Sequence, residues 1–360
     1  MKILFLNDRL TGGGTEKILQ ILTDDLAARG HRVTVLSFAG SRGEFAAHYP
    51  ASVRFYRLPF RQGGRLCRVW ETLAGLLPLR WDVGIAMKEG PCMRLASRLR
   101  VKRKLAWVHT DPESLHWSRF FFRSEGEERA CMARFDRVVC VSETVRRNVV
   151  SQVGDPGNLC VRLNPIPVQE IEKKAAQAPA DAVRPLGKPL LLALGRLDKS
   201  KRLNLLLDCC RELRETYDFA LWIVGGGSEE EALRRQVERE HLDFARLLGS
   251  KENPYPYLRR ADWLVSASGS ESYGLALQEA LILDVPVIAC ACPAIEEHLD
   301  PLFGVLVGLA REDLLAGLRE ILEHPELQKK YRRNLRRYQQ KEKLWEPRLE
   351  AIRSLIEKGV

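Results

Sequence analysis

The sequence predicts an α/β protein of two domains, each a doubly wound parallel sheet, facing one another across a cleft. Three observations carry this. Short apolar runs alternate with amphipathic helical stretches along most of the chain, the pattern of repeated parallel βαβ units. That alternation begins twice, at Lys2 and again at Pro189. Between the two, residues 166–188 are rich in Ala, Pro and charge with little apolar content, the composition of a linker with at most a short helix.

Taken in order, Lys2 to Leu6 is a first strand, too short for a signal-peptide core and followed at once by Asn7 and Asp8. A glycine loop, Gly12, Gly13 and Gly14, leads into a helix in which Ile18, Leu19, Ile21, Leu22 and Leu26 recur at helical spacing. Val33 to Phe38 returns as a second strand, which makes a parallel βαβ opening. Further strands are expected at 82–87, 104–109 and 137–141, the last followed by Ser142 as a helix cap. Asn164 to Pro167 closes this half. The first domain is therefore 1–165, the linker 166–188 and the second domain 189–341. Leu349, Ile352, Leu355 and Ile356 form one apolar stripe on a last helix within 342–360, which is expected to dock back on the first domain.

In the second half, a strand at 189–194 ends in Gly195, Arg196 and Lys201, and a strand at 219–224 ends in Gly225, Gly226 and Gly227. Shorter runs at 246–249 and 285–289 are further strands. The run from Asp262 to Ser266 ends in a small-residue turn from Ala267 to Gly274, before a helix from Leu275 to Leu283. A strand, a tight turn and a helix N-terminus direct backbone N–H groups at an anion above the strand's carboxyl end. Glu271 lies in that turn and Glu279 about two helical turns further along, at ~1.5 Å per residue. Two carboxylates flanking a phosphate cradle suit an elongated ligand with hydroxyls at each end, the shape of a nucleotide-sugar. Arg196 and Lys201 supply cations for a diphosphate between them.

As a set, these residues resemble the retaining family-4 glycosyltransferases of GT-B fold, of the bacterial envelope polysaccharide and lipopolysaccharide core type. The landmarks are Gly195-Arg-Leu with Lys201, Glu271 with Glu279, Asn164-Pro, Val139 to Ser142, the glycine loop through Glu16, and His109. They run in order from Lys2 to about Val307. The resemblance implies donor binding by the second domain, acceptor binding by the first, and transfer with retention of anomeric configuration. It implies that Arg196 and Lys201 neutralise the donor diphosphate and that Glu279 bonds the ribose hydroxyls. Glu271 would hold the donor sugar, with Ser272, Tyr273, Gly274 and Leu275 completing the phosphate cradle. Gly225 and Gly226 would line the donor site, Gly13 and Gly14 would approach its phosphate, and His109 would sit beside the transferred sugar. The chain departs from the usual pattern at Ser272, where glycine is common, at Tyr273, where phenylalanine is, and in the Gly225 to Ser228 run, which lacks an acidic residue. No cofactor and no metal are expected: the chain has no Asp-x-Asp triplet, and a cationic clamp with a helix N-terminus meets the leaving-group charge.

Composition bounds the partners. The 360 residues are 45% hydrophobic and 29% charged, ordinary for a globular protein. Nine cysteines without a C-x-x-C pair suggest a reducing compartment, and no apolar run reaches the ~20 residues that span a bilayer. The net charge of +10 is lopsided: residues 1–165 carry 27 Lys and Arg against 16 Asp and Glu, residues 166–360 carry 30 against 31. Within the first half, Arg61, Arg65 and Arg68, Lys102, Arg103 and Lys104, and the aromatic residues Trp117 and Phe121 combine cations with large apolar groups. That suits an anionic membrane surface and a lipid-linked saccharide acceptor, on the cytoplasmic face of the membrane. The sequence disfavours a nucleic-acid binder, since no recognition module is evident, and a dehydrogenase, since Gly12 to Gly14 does not continue as G-x-G-x-x-G. A sugar-nucleotide epimerase or hydrolase on the same fold is the nearer rival.

Overall fold

A computed structural model of the protein describes residues 1–8, 13–38, 49–58, 69, 81–113, 116–179, 181–338 and 343–360, with Trp117 described by its backbone alone. The chain divides into two compact units. The first comprises Met1–Pro165 with Glu346–Val360, the second Ile166–Trp345.

The first unit holds a seven-stranded sheet: β1 (Lys2–Asn7), β2 (Arg32–Ser37), β3 (Arg54–Arg57), β4 (Val83–Ala86), β5 (Arg103–Val108), β6 (Arg137–Cys140) and β7 (Leu159–Val161). Their order is β3-β2-β1-β4-β5-β6-β7, and every pairing is parallel. The order reverses between β1 and β4, which opens a crevice at their carboxyl ends. Val83, Ile85, Leu105 and Val138 are wholly buried, as expected of strands covered on both faces.

The second unit repeats the plan with β8 (Leu190–Leu194), β9 (Ala220–Val224), β10 (Ala245–Gly249), β11 (Trp263–Ser266), β12 (Val287–Cys290) and β13 (Gly304–Val307). The order is β10-β9-β8-β11-β12-β13, again parallel throughout, with its reversal between β8 and β11. Leu191, Leu206, Phe219, Trp263 and Leu314 belong to one core.

Residues 166–188 are less free than their composition suggests. Val168–Ala175 is a helix whose Val168, Ile171 and Ala175 are buried. Beyond it, Arg184 bonds Asp262 at 2.7 Å and the carbonyl of Arg260 at 2.6 Å, while Lys251 pairs with Asp181. Three apolar positions at helical spacing plus charge pairs tie the segment into the second unit. The helix Glu346–Glu357 returns to the first unit, with Leu349, Ile352, Leu355 and Ile356 buried. There Arg353 bonds Asp25, Glu357 bonds His31, and the carbonyl of Ile356 accepts from Arg103 at 2.6 Å. Among the described residues eight cysteines are free thiols, all but Cys160 buried, and no helix is long and apolar enough to cross a membrane.

Candidate functional site

In the second unit the site forms where the sheet order reverses. Strand β8 ends at Gly195, whose N–H bonds the carbonyl of Val224, and Leu197 N–H bonds the carbonyl of Gly226 at 3.0 Å. The two glycine segments therefore lie backbone against backbone. At Gly225, with φ +148°, a Cβ would sit 1.8 Å from the Gly195 oxygen, and at Gly227 one would sit 2.3 Å from the Leu197 oxygen. These glycines have a reason within the protein itself, apart from any ligand: only a residue without a side chain permits the approach. A Cβ at Gly226 would meet nothing closer than 3.4 Å, so this position is not closed by packing.

A short turn, Lys199–Lys201, follows, started by the Asp198 carboxylate accepting from Ser200 N–H at 3.0 Å. It presents Lys201, whose Nζ meets Glu271 Oε1 at 2.5 Å, with both side chains about one-fifth exposed. Ser268 Oγ donates to the same oxygen at 2.9 Å. Two residues singled out from positions 70 apart in sequence thus form one ion pair above the carboxyl ends of β8 and β11. Arg202 fixes the arrangement. It adopts a left-handed backbone, φ 47°, and its guanidinium donates to the carbonyls of Ala267 and Leu309, each at 2.7 Å. Ser200 O accepts from Gly269 N–H at 2.9 Å. Arg196 is exposed and, among the described residues, makes no side-chain bond or ion pair, so its charge is available to a ligand.

The helix Leu275–Ile282 begins at Gly274 in a left-handed conformation, φ 75°, with no side-chain cap. Its first N–H groups are left for another acceptor. Ser272 and Leu275 are half-buried, while Tyr273 is buried and packs edge-on against His298, ring centroids 4.7 Å apart. Tyr273 is thus a packing residue that sets the turn. Glu279 is buried at 5% exposure and accepts from Tyr255 Oη at 3.3 Å. Burial, and then the Glu279 charge, hold the Tyr255 phenol well above its usual range.

The first unit gathers a second polar group at its own reversal point. Gly13 precedes the helix Gly14–Ala28 in an extended conformation, without a side-chain cap; Gly12 lies outside the described residues. Lys88, just past β4, bonds Asp8 at 2.7 Å and Glu16 at 3.0 Å. Burial works against that ammonium, but Glu16 and Asp8 outweigh it and hold its pKa above the ordinary lysine value. Asp8 and Glu16 lie on either side of the glycine loop, so Lys88 pins both flanks. Its neighbour Glu89 works on the other side: Oε1 accepts from the backbone N–H of His109 at 2.6 Å and of Thr110 at 2.9 Å. Burial pushes the Glu89 carboxyl up, against the pull of those donors and Lys88. His109 follows β5 with Nε2 shut off from water and without a hydrogen-bond partner. Burial, then the nearby Lys88 charge, push its pKa down to about 3, so the imidazole is neutral. Lys88, Glu89 and Asp8 were not singled out from the sequence. Their one signal there is position, each falling just past a strand's carboxyl end.

The basic and aromatic segments divide. Arg61, Arg65 and Arg68 lie outside the described residues. Lys102 is exposed and pairs with Asp82 at 2.8 Å. Two cations are engaged internally, against the expectation of a free surface: Arg103 holds the end of the last helix, and Lys104 donates to the carbonyl of Ser97 at 2.9 Å. Trp117 to Phe121 form a 3-10 turn. Phe122 is buried and Phe121 half-buried, while Phe120 is 73% exposed beside Arg119.

Comparison with known proteins agrees with this layout. Residues 12–170 match the family described as Glycosyltransferase Family 4, and residues 176–338 match Glycosyl transferases group 1. The chain is 30% identical over 180 residues to the N-acetylgalactosamine-N,N'-diacetylbacillosaminyl-diphospho-undecaprenol 4-alpha-N-acetylgalactosaminyltransferase of Campylobacter jejuni, covering 47% of this chain and 46% of that protein. It is 31% identical over 124 residues to the lipopolysaccharide core biosynthesis glycosyltransferase LpsD of Rhizobium meliloti, covering 34% of each. The matches thus span less than half the length of these curated relatives. Among solved structures, Anabaena HepE in complex with UDP and glucose superposes with a TM-score of 0.77 at 17% identity, over 99% of this chain and all of that one.

Proposed function

Because the chain belongs to the family-4 glycosyltransferases of GT-B fold, we propose that it moves a hexose or N-acetylhexosamine from a nucleoside-diphosphate sugar to a lipid-linked saccharide. The observation that carries this is the Lys201–Glu271 pair at the carboxyl ends of β8 and β11, beside the uncapped helix start at Gly274. A donor diphosphate placed there draws Lys201 and Arg196 to its oxygens and accepts from the first N–H groups of the helix. Glu271, released from Lys201, takes hydroxyls of the donor sugar, and Glu279 takes those of the ribose. The leaving diphosphate is stabilised by these fixed cations and dipoles, so no metal is required. Attack on the same face retains the anomeric configuration, with the departing phosphate as the base.

A UDP-sugar is the donor favoured by the likeness to a UDP-binding structure. A lipid-linked or lipopolysaccharide-core acceptor is favoured by the relatives that act on undecaprenol-linked and core saccharides. Phe120 with Arg119, and exposed Lys102, give the first unit a surface for anionic lipid, consistent with a peripheral place on the cytoplasmic side of the membrane. A thermal-shift panel of nucleotide-sugars, then mass spectrometry and anomeric NMR of the product formed with and without EDTA, tests the reading. A protein that binds no nucleotide-sugar rules it out. Inverted product or strict metal dependence removes the proposed mechanism, and free sugar or an epimerised donor as the sole product favours the hydrolase or epimerase.

A further inference from the structure

The second unit carries almost no net charge by sequence count, yet one of its helices concentrates cations. The helix Pro325–Arg337 has six Lys and Arg in thirteen residues and one acid, Glu326. Five of the six, Lys329, Lys330, Arg333, Arg336 and Arg337, are exposed and form no salt bridge with any described residue. The sixth, Arg332, turns inward and donates to the carbonyls of Asp284 at 3.1 Å and Ala261 at 3.0 Å. At 3.6 residues per turn the five exposed cations fall within an arc of about 120°. The opposite side is locked down: Leu335 is wholly buried, and Tyr331 packs edge-on against Trp263 with centroids 5.8 Å apart. Glu326 is bonded to His324 at 2.9 Å and feels the nearby Lys329 charge, so one acid stands against five exposed cations.

Like charges side by side on one rigid face repel one another and lower the stability of the helix. Such a face is relieved by an anionic partner that covers it whole. Beside it, Leu302 is 59% exposed, and its carbonyl accepts from Asn334 on the same helix at 2.9 Å. An apolar side chain at the edge of a cationic stripe about 12 Å long fits a headgroup layer with hydrocarbon just beneath it. A single-stranded nucleic acid fits less well, because the one aromatic ring of this helix is packed inward and none is left for bases to stack on.

We propose that this face docks on an anionic phospholipid bilayer, giving the second unit its own membrane contact. The proposal goes beyond the transferase reading and does not depend on which sugar is moved.

Co-sedimentation with vesicles of phosphatidylcholine alone, and of phosphatidylcholine mixed with phosphatidylglycerol, tests it on the full chain. Wild type pellets with the mixed vesicles at low salt, and salt releases most of it because exposed charges are screened beyond ~8 Å at physiological ionic strength. The triple variant Lys329→Gln, Arg333→Gln, Arg336→Gln lowers partitioning at least about tenfold, since each cation near an anionic surface contributes roughly fivefold. Leu302→Ser lowers the salt-resistant remainder. The anchors Leu335, Arg332 and Tyr331 are untouched, and an unchanged melting temperature checks that the triple variant is folded. A second variant, Lys330→Gln with Arg337→Gln, repeats the test on the other edge of the arc. If both variants pellet like wild type, if wild type ignores anionic vesicles, or if they lose heparin retention and keep vesicle binding, the proposal is overturned. Nucleotide-sugar binding measured on the same samples keeps the two readings apart: its absence in wild type rules out the transferase reading alone, and its persistence beside unaltered vesicle binding rules out the membrane face alone.

Discussion

Arg353 and Asp25, 328 residues apart, meet in a two-bond contact: Nη2 to Oδ1 at 2.7 Å and Nε to Oδ2 at 3.0 Å. The arginine side chain is 4% exposed and also reaches Glu346 and Glu350. Hydrogen bonds to these carboxylates, that of Asp25 foremost, hold the guanidinium well above its usual pKa. This contact joins the last helix to the first one of the same unit.

Truncation at Arg353 leaves Asp25 facing a helix that no longer neutralises it. Arg353→Ala is expected to lower the unfolding free energy of the first unit by about 3 kcal/mol, the scale of a broken buried pair. Asp25→Asn does part of the same damage, and a double-mutant cycle by urea denaturation separates the coupling from the individual losses. Additive effects would show that the contact is incidental.

The Lys201–Glu271 pair makes opposite demands on its two members. Lys201→Met and Arg196→Ala each weaken nucleoside-diphosphate binding by about 1.5–3 kcal/mol, typical of a charge-assisted bond. Glu271→Gln releases Lys201 from its carboxylate, so affinity for the diphosphate alone holds or rises while turnover of the nucleotide-sugar falls. Calorimetry with free nucleotide beside a transfer assay reads both. A parallel loss in all three variants contradicts the division of roles.

The depressed pKa of His109 sets a pH dependence with a definite sign. The ordinary value is 6.5 and the folded value about 3. Above pH 6.5 the imidazole is neutral in both states, and its full contribution to stability is present. As pH falls below that, the unfolded chain takes a proton that the folded chain refuses, so stability drops by up to about 1.4 kcal/mol per pH unit until about pH 3. His109→Asn flattens this limb, which urea midpoints at pH 7 and pH 5 reveal. Equal slopes in variant and wild type would place the titration elsewhere.

Gly225 tolerates no side chain. Gly225→Ala places a methyl group into the Gly195 carbonyl at a backbone angle that L-residues avoid. It is expected to destabilise the second unit by at least about 2 kcal/mol and to shift the Arg196 loop. Gly226→Ala, where the space is open to 3.4 Å, is the matched control. Comparable melting temperatures for the two would refute the packing account.

The fold class was legible because buried parallel strands are nearly continuous apolar runs, and β4, β8, β9 and β11 each read that way. The strands absent from the sequence reading, β3, β7 and β13, are short and lie at sheet edges, where a three- or four-residue run gives little periodicity to read. Arg54–Arg57 is mostly exposed besides, so it has no buried apolar run to mark it. The helix Val168–Ala175 buries three small or branched residues within a segment whose composition reads as a tether. At the site, Lys201 and Glu271 could be singled out because each sits next to a glycine turn. Lys88, Glu89 and Asp8 could not, since only the adjacency of β1 and β4 joins Lys88 to Asp8 and to Glu16 of the glycine loop. The cationic helix was invisible to a charge sum over half the chain because acidic residues elsewhere cancel it.

The return of the last helix to the first unit also bears on how the molecule is made. A ribosome releases residues 1–165 well before residues 346–360, and at 5–20 residues per second the interval is on the order of ten seconds or more. Until then Asp25 waits without Arg353, and the face that later buries Leu349, Ile352 and Leu355 is open to chaperones. The first unit is started first and finished last, so a stop codon or proteolytic cut after Trp345 injures the half of the protein farthest away in sequence.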